Sequence, residues 1–386
     1  MLLLPKSRDP LVSVVLVTYG GWDWPYRALE ALREHTEEPI EVICVDNASW
    51  DGTGELLEEL VGGATVVRNM KNVGFAAGAN QGAAIARGQY LCFLNPDCLV
   101  RPGWLPPLVA ALGDPGIGAA VPRFIGPDGL VQEAGSVVDR QGWTEAVGAG
   151  ADPTDPETRF PRLVDYGSAA CLLIRRATFL SAGGFDERFH PAYCEDVDLA
   201  FRLRDDGLHT AFQPASTVDH AGAVSTGSIT RDRLIERNRL LLLRRWADAL
   251  SDRPALTELE DRPHRLFALR DALTLDRILV ISEDLPSPGA AAALAGAAAR
   301  PTVRATLLLS GGSPEGRDGL LAAGVEVCVA DDVERWLAGR RYHYSVVVSD
   351  GAVPPPILHR WQPQAAAPEG GSLGDLLATA GASPPL

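Results

Sequence analysis

A doubly wound α/β fold, with a mostly parallel Rossmann-like sheet and helices on both faces, is what this chain predicts. Three observations carry it. Continuous apolar, β-branched runs recur through the N-terminal half, as in strands buried on both faces of a parallel sheet. Each run is followed, after a short link, by a segment of helical periodicity. Polar residues gather where the runs end, and ligands of such sheets sit at the carboxyl ends of strands.

The elements follow in order. Residues 11–18 (LVSVVLVT) read as the first buried strand. Residues 26–34 read as a helix with Ala28, Leu29 and Leu32 on one face. Residues 40–45 (IEVICV) form a second strand, ending at Asp46-Asn47-Ala48-Ser49, and Asp51 is placed to cap a helix over 54–60. Residues 64–68 give a third strand, 76–86 a helix, and 90–94 (YLCFL) a fourth strand ending at Asn95-Pro96-Asp97. The pattern then loosens. Short strands are expected over 120–124 and 130–138, around the turn tripeptide Pro127-Asp128-Gly129, and another over 169–175. A turn at Gly183-Gly184-Phe185-Asp186 leads to a helix over 197–205. Strands over 209–213 and 216–220 and a basic, Leu-rich helix over 234–250 complete the unit.

The strand pattern restarts at 277–282 and continues through 306–309, 326–330 and 345–349. The expected organisation is therefore a first domain over 1–250, a linker over 251–276 with Pro254 and Pro263, and a small Rossmann-like α/β unit over 277–350. A Pro/Ala/Gly-rich tail over 351–386 is expected to be partly disordered.

Bulk chemistry narrows the function. The 46% hydrophobic and 22% charged composition is that of a globular protein. Net charge is 35 − 50 = −15, which excludes non-specific nucleic-acid binding, since that rests on neutralising phosphates with Lys and Arg. The six cysteines show no metal-binding or disulfide spacing and read as buried thiols. Met1-Leu2-Leu3-Leu4 is too short for a signal core, and no apolar run reaches the ~18–20 residues of a membrane span. A cytoplasmic protein is expected, with room for peripheral contact at the inner face of a membrane. Oligomeric state is not legible.

Two acidic centres carry chemistry. Glu195, Asp196 and Asp198 crowd the start of a helix with Arg202 behind them. Carboxylates this close repel, so a metal, a proton or an arginine has to compensate. Asp97, in Asn95-Pro96-Asp97, stands at the end of a buried strand. As a local pattern that tripeptide also reads as a plain turn.

Val14 to Tyr19 (VVLVTY), Asp46-Asn47-Ala48-Ser49, Asn72 to Asn80 (NVGFAAGAN), Asn95-Pro96-Asp97 and Glu195-Asp196-Val197-Asp198-Leu199 occur in one order. Together they resemble the inverting GT-A glycosyltransferases of glycosyl transferase family 2, in its rhamnosyltransferase-like branch, over residues 11–245. The resemblance implies a hexosyltransferase. It would move a sugar from a nucleoside diphosphate, dTDP-rhamnose first and UDP- or GDP-sugars behind it, to a hydroxyl of a glycan or lipid-linked acceptor in cell-surface polysaccharide synthesis. It implies that Asp196 is the general base and that Glu195 binds the acceptor or tunes Asp196. Asp97 and the late histidine His220 would hold Mg²⁺ or Mn²⁺, which neutralises a diphosphate leaving group. Thr18, Tyr19, Asp46, Asn72, Gly74, Phe75, Asn80 and Asn95 would contact the nucleotide sugar. Asp198 is expected to cap the helix or pair with Arg202.

Two departures matter. Asn95 replaces the first acid of the family's Asp-x-Asp, and Gly20-Gly21 follows Tyr19 where the family has Asn. Both leave room for a weakly active relative acting as a binding or scaffold module. A nucleotidyltransferase is disfavoured, because Gly20-Gly21-Trp22 carries no Lys or Arg. The small C-terminal unit resembles the start of a GT-B fold, which implies an accessory domain or a piece of a longer bifunctional protein.

Overall fold

The computed structural model of the protein describes residues 1–222, 228–256, 269–274, 276–300, 303–310, 316–340 and 344–349. The expected tail and half of the expected linker, Pro263 included, lie outside the described residues.

Val12–Thr18 (β1) and Ile40–Asp46 (β2) are almost wholly buried. Their branched side chains suit a pleated surface covered on both faces. The two strands pair in parallel with Thr18 opposite Asp46. Thr65–Arg68 (β3) flanks β2 and Tyr90–Leu94 (β4) flanks β1, both in parallel. The crossovers are Asp23–His35 (α1), Thr53–Leu60 (α2) and Phe75–Ile85 (α3). α1 starts three residues before the expected Tyr26, and Pro25 fits its first turn, where no N–H is needed. α3 lies very close to the sheet. A Cβ on Gly78 would meet Val17 at 3.0 Å, and one on Gly82 would meet Val15 at 2.4 Å.

After β4 the sheet becomes mixed, through Cys98–Val100 (β5), Leu105–Ala111 (α4), Ile117–Ile125 (β6), Val131–Glu133 (β7), Ser136–Val138 (β8), Thr144–Ala146 (β9), Cys171–Arg175 (β10) and Arg176–Ser181 (α5). Glu195–Asp205 (α6), His209–His220 (β11) and Ser228–Leu250 (α7) close the unit. The sheet runs β11-β6-β10-β4-β1-β2-β3, and β10 is antiparallel to both neighbours. A core of Val15, Ile43, Phe93, Val121, Phe179 and Phe185 joins the sheet to its helices.

Three expectations shift. The single strand expected over 130–138 divides into β7 and β8, because Gly135 turns the chain at φ +73°. A Cβ there would meet Val164 at 2.4 Å. The strands expected over 209–213 and 216–220 are one, β11, with a register shift between Gln213 and Thr217. Pro214, which lacks an N–H for the ladder, sits in that interruption. α7 begins at Ser228 rather than Leu234.

The second unit consists of residues 154–163 together with the chain from Pro254 onward. Asp276–Ser282 (β12), Val303–Leu309 (β13), Glu326–Val329 (β14) and Val346–Ser349 (β15) form a parallel sheet in the order β14-β13-β12-β15. Pro288–Ala298 (α8), Asp318–Ala322 (α9) and Val333–Arg340 (α10) accompany it. Ser287 caps α8, accepting from Ala290 N, and Pro288 opens the helix. The boundary at 250 therefore needs one correction: residues 154–163 pack with this unit. Phe160, fully buried, lies in one cluster with Ile278, Leu307 and Val327, so the sheet's core is completed by a distant segment. Among the described residues no helix is long and apolar enough to cross a membrane.

Candidate functional site

The first acidic centre is built by the end of β4. Its apolar residues are buried, and the chain emerges at Asn95, whose N–H donates to Ala170 O at 2.8 Å. The turn that follows leads into β5, which pairs antiparallel with the end of β11 and sets His220 opposite Cys98. That register brings Asp97 Oδ1 to 3.5 Å from His220 Nε2. His220 Nδ1 lies 2.6 Å from Gln132 Oε1. An oxygen there accepts, so Nδ1 donates to Gln132 and Nε2 is the ring nitrogen on the Asp97 side. Asp97, Cys98 and His220 place one ligand atom each within 4.8 Å of one another. Burial pushes the Cys98 thiol well up, with Asp97 adding to it. Asp97 and His220 offer an oxygen and an imidazole, a donor set that fits Mn²⁺ or Mg²⁺.

The second centre opens α6. Tyr193 and Cys194 precede it with φ of 78° and 73°, a left-handed conformation that costs non-glycine residues on the order of 1 kcal/mol each. Asn238, fully buried on α7, holds them there. Its Nδ2 donates to Phe189 O at 3.0 Å, Ala192 O at 2.8 Å and Tyr193 O at 2.8 Å. Asp196 Oδ2 accepts from Ala169 N at 3.2 Å and Oδ1 from Val197 N at 2.8 Å. Burial raises its proton affinity, and those backbone donors oppose the rise. Glu195 is 6% exposed, and its Oε2 is buried with no hydrogen-bond partner. Burial, then Asp196, holds its carboxyl well above the usual range. Asp198 is fully buried and accepts from Arg202 Nε at 2.8 Å, Trp246 Nε1 at 2.9 Å and Arg245 Nη1 at 3.1 Å. It holds α6 in place.

Residues 168–170 join the two centres. Ser168 N donates to Glu133 Oε1 at 3.1 Å, Ala169 N donates to Asp196, and Ala170 O accepts from Asn95 N. Glu133 lies in the electrostatic reach of both centres. Burial pushes its carboxyl up to about 7, with Asp196 adding to the rise and His220 opposing it.

Thr18, Tyr19 and Asp46 lie where β1 and β2 stop. Asp46 is fully buried and accepts from Thr18 Oγ1 at 3.3 Å, from Ser49 N at 3.3 Å and from the Ser49 hydroxyl. Tyr19, 40% exposed, meets the edge of Trp50, 70% exposed, with ring centroids 4.8 Å apart. The Gly20 departure now has a cause. A Cβ there would approach Trp50 to 2.8 Å, and Gly20 N donates to Ser49 Oγ at 2.7 Å.

The Asn72–Asn80 stretch lies at the start of α3. Asn72 Oδ1 accepts from Gly74 N at 2.8 Å. Gly74, at φ +87°, leaves no room for a Cβ against His190 Nδ1 at 2.6 Å. Phe75 N donates to Pro191 O, and Phe75 packs on Phe185. Asn80 clamps Phe185 with two 2.9 Å hydrogen bonds, one to its carbonyl and one from its N–H. Gly74, Phe75 and Asn80 seat α3 against the turn before α6, and Asn72 shapes the loop that leads into it. A groove of about 640 Å³ does open beside them, lined by Lys71, Asn72, Asn80, Glu187 and His190, but neither Asp97 nor Asp196 lines it. In the basic run of α7, Arg237 donates to His190 O, Arg239 pairs with Glu236 and Arg245 with Asp198.

Gln132, Glu133, Trp50 and Asn238 were not singled out as site residues from the sequence. Only Glu133 carried a signal, a charge inside an otherwise apolar strand pattern.

Comparison with known proteins agrees with this architecture. The model of glycosyl transferase family 2 matches residues 13–143. An N-acetylglucosaminyl-diphospho-decaprenol L-rhamnosyltransferase of Mycobacterium tuberculosis is 32% identical over 240 residues, covering 56% of this chain and 78% of the relative. The O-antigen biosynthesis protein RfbC of Myxococcus xanthus is 32% identical over 231 residues, 57% of this chain and 18% of that protein. The crystal structure of GalNAc-T7 with UDP, GalNAc and Mn²⁺ superposes with a TM-score of 0.51 at 21% identity, covering 64% of this chain and 50% of that one. This chain belongs to glycosyl transferase family 2 and is a glycosyltransferase with a GT-A fold.

Proposed function

We propose that the protein is an inverting, metal-dependent transferase. It moves a deoxyhexose or hexose, rhamnose first among them, from a nucleoside diphosphate to a hydroxyl of a lipid-linked glycan in cell-surface polysaccharide synthesis. One observation carries this reading: residues 168–170 hold Asp196 by an N–H and the Asp97 turn by a carbonyl, so both centres border one site. Asp196 takes the proton of the acceptor hydroxyl. The hydroxyl oxygen bonds to the anomeric carbon as the bond from that carbon to the diphosphate breaks, and the diphosphate leaves with the electron pair. Attack from the opposite face inverts the anomeric centre. A divalent cation held by Asp97 and His220 would supply the charge neutralisation that this leaving group needs. Thr18, Asp46 and the Tyr19–Trp50 pair border the nucleobase, and Asn95 the sugar. The rhamnosyltransferase name of the mycobacterial relative supports the rhamnose and lipid-linked acceptor assignments. Work on such an acceptor requires peripheral contact with the cytoplasmic face of a membrane.

The test is a thermal-shift panel of dTDP-, UDP- and GDP-sugars with Mn²⁺ or Mg²⁺. Apparent stability rises with RT ln(1 + [L]/Kd), so the donor stands out and requires the cation. No shift with any nucleotide sugar in either metal overturns the donor reading.

A further inference from the structure

Gln132 and Glu133 are consecutive residues on β7, and each reaches one half of the site. The pairing of β7 with β6 is irregular here. Phe124 lies opposite Glu133 and Ile125 opposite Val131, which leaves Gln132 as the extra residue of a β-bulge. Bulges beside active sites re-aim side chains. The bulged Gln132 meets His220 Nδ1 at 2.6 Å. Glu133 accepts from Ser168 N, the amide next to the one that holds Asp196, and it also bonds the Ser136 side chain.

We infer that this bulged dipeptide positions both halves of the catalytic centre. Gln132 fixes the tautomer and ring orientation of His220 for the metal, and Glu133 fixes the 168–170 segment that presents an amide to Asp196. The inference rests on the metal and base roles proposed above. Partners that orient a ligating histidine are typically worth ~10–100-fold in metal affinity or activity. The two residues therefore act on different observables. Gln132 acts on metal affinity, and Glu133 acts on turnover.

The experiment compares the wild-type chain with Q132A, E133A and E133Q, all checked for an unchanged circular-dichroism spectrum and a cooperative melt. Affinity for Mn²⁺ alone is read from the electron paramagnetic resonance of the free ion. Turnover is read at saturating Mn²⁺ with the nucleotide sugar that the wild type turns over. Q132A should weaken Mn²⁺ binding ~10–100-fold and keep kcat within ~3-fold. E133A should lower kcat ~10–100-fold with Mn²⁺ affinity and donor KM within ~3-fold. E133Q, whose amide oxygen still accepts from Ser168 N, should recover most of the loss. An unchanged Q132A, or both alanine variants losing both properties together, overturns the inference, and so does an E133Q as impaired as E133A. Failure of the underlying reading shows elsewhere: H220A with wild-type Mn²⁺ affinity, or D196N with wild-type turnover, removes the metal or the base role itself.

Discussion

Both units bury charge, and they treat it in opposite ways. In the second unit Arg270, Asp271, Arg304 and Glu326 are buried side by side. Arg270 reaches Asp271 at 3.0 Å and Glu326 at 3.1 Å, and Arg304 reaches Asp271 at 3.3 Å. Burial would push the Asp271 carboxyl up, yet Arg270 and Arg304 overcome it and hold the group below its ordinary value. In the first unit Glu133, Glu195 and Asp196 sit together with no arginine among the influences on them, and all three are pushed up. A scaffold matches its buried charges. A reactive centre leaves them unmatched, so that a cation or a substrate proton supplies what is missing. Asp198 sharpens the contrast, since it lies in the same helical turn as Asp196 and is fully matched by Arg202, Arg245 and Trp246.

The largest test of this contrast is D196N. Removing the base should lower kcat by ~10²–10⁴ while donor binding, read by calorimetry, stays nearly intact. Next comes R270A, which strips a partner from two buried carboxylates. It should destabilise the second unit by ~3–5 kcal/mol in urea unfolding and leave Mn²⁺ binding at the first unit unchanged. D97A should abolish the Mn²⁺-dependent part of nucleotide binding, and a titration with equal affinity with and without Mn²⁺ in the wild type would falsify the metal role.

A smaller effect is the pH dependence of stability. Glu133 binds its proton more tightly in the folded state, where its pKa of about 7 exceeds the ordinary 4.5. Between those values the folded state holds more protons than the unfolded one, so stability falls as pH rises and then levels. E133Q should remove that slope. Asp271 has the opposite sign. Its contribution is complete above its ordinary value of 3.8 and is lost as pH falls toward the lower folded value, so D271N should flatten only the acid end. Urea midpoints from pH 3 to 7.5 check both. The smallest effect is expected from W50A. Losing one ring of an exposed aromatic pair is worth ~0.5–1.5 kcal/mol, or about 2–10-fold in donor KM, with kcat unchanged.

Much of the first unit could be read from local pattern, because β1, β2 and β4 are buried on both faces and say so in their composition. The acidic residues could be read too, since Asp97 and Asp196 stand at the ends of periodic elements. Reading failed where a side chain's partner is far along the chain. Asn80 looks like a ligand-binding amide in sequence, and in the structure both ends of its amide bond Phe185, 105 residues away. Phe160 looks like an ordinary loop aromatic, and it lies in the core of the second unit, with Arg162, Arg270 and Arg304 stacked over its ring.

Periodicity, composition and motif order were enough for the α/β class, the parallel core and the family, because a strand or helix reports its burial through its own residues. The meeting of Asp97 with His220, the bulge that turns Gln132, and the segment shared by Glu133 and Asp196 required the folded chain. Each depends on sheet register or on a hydrogen bond between distant residues, and the free energy of such pairings is set by neighbours that no local stretch encodes.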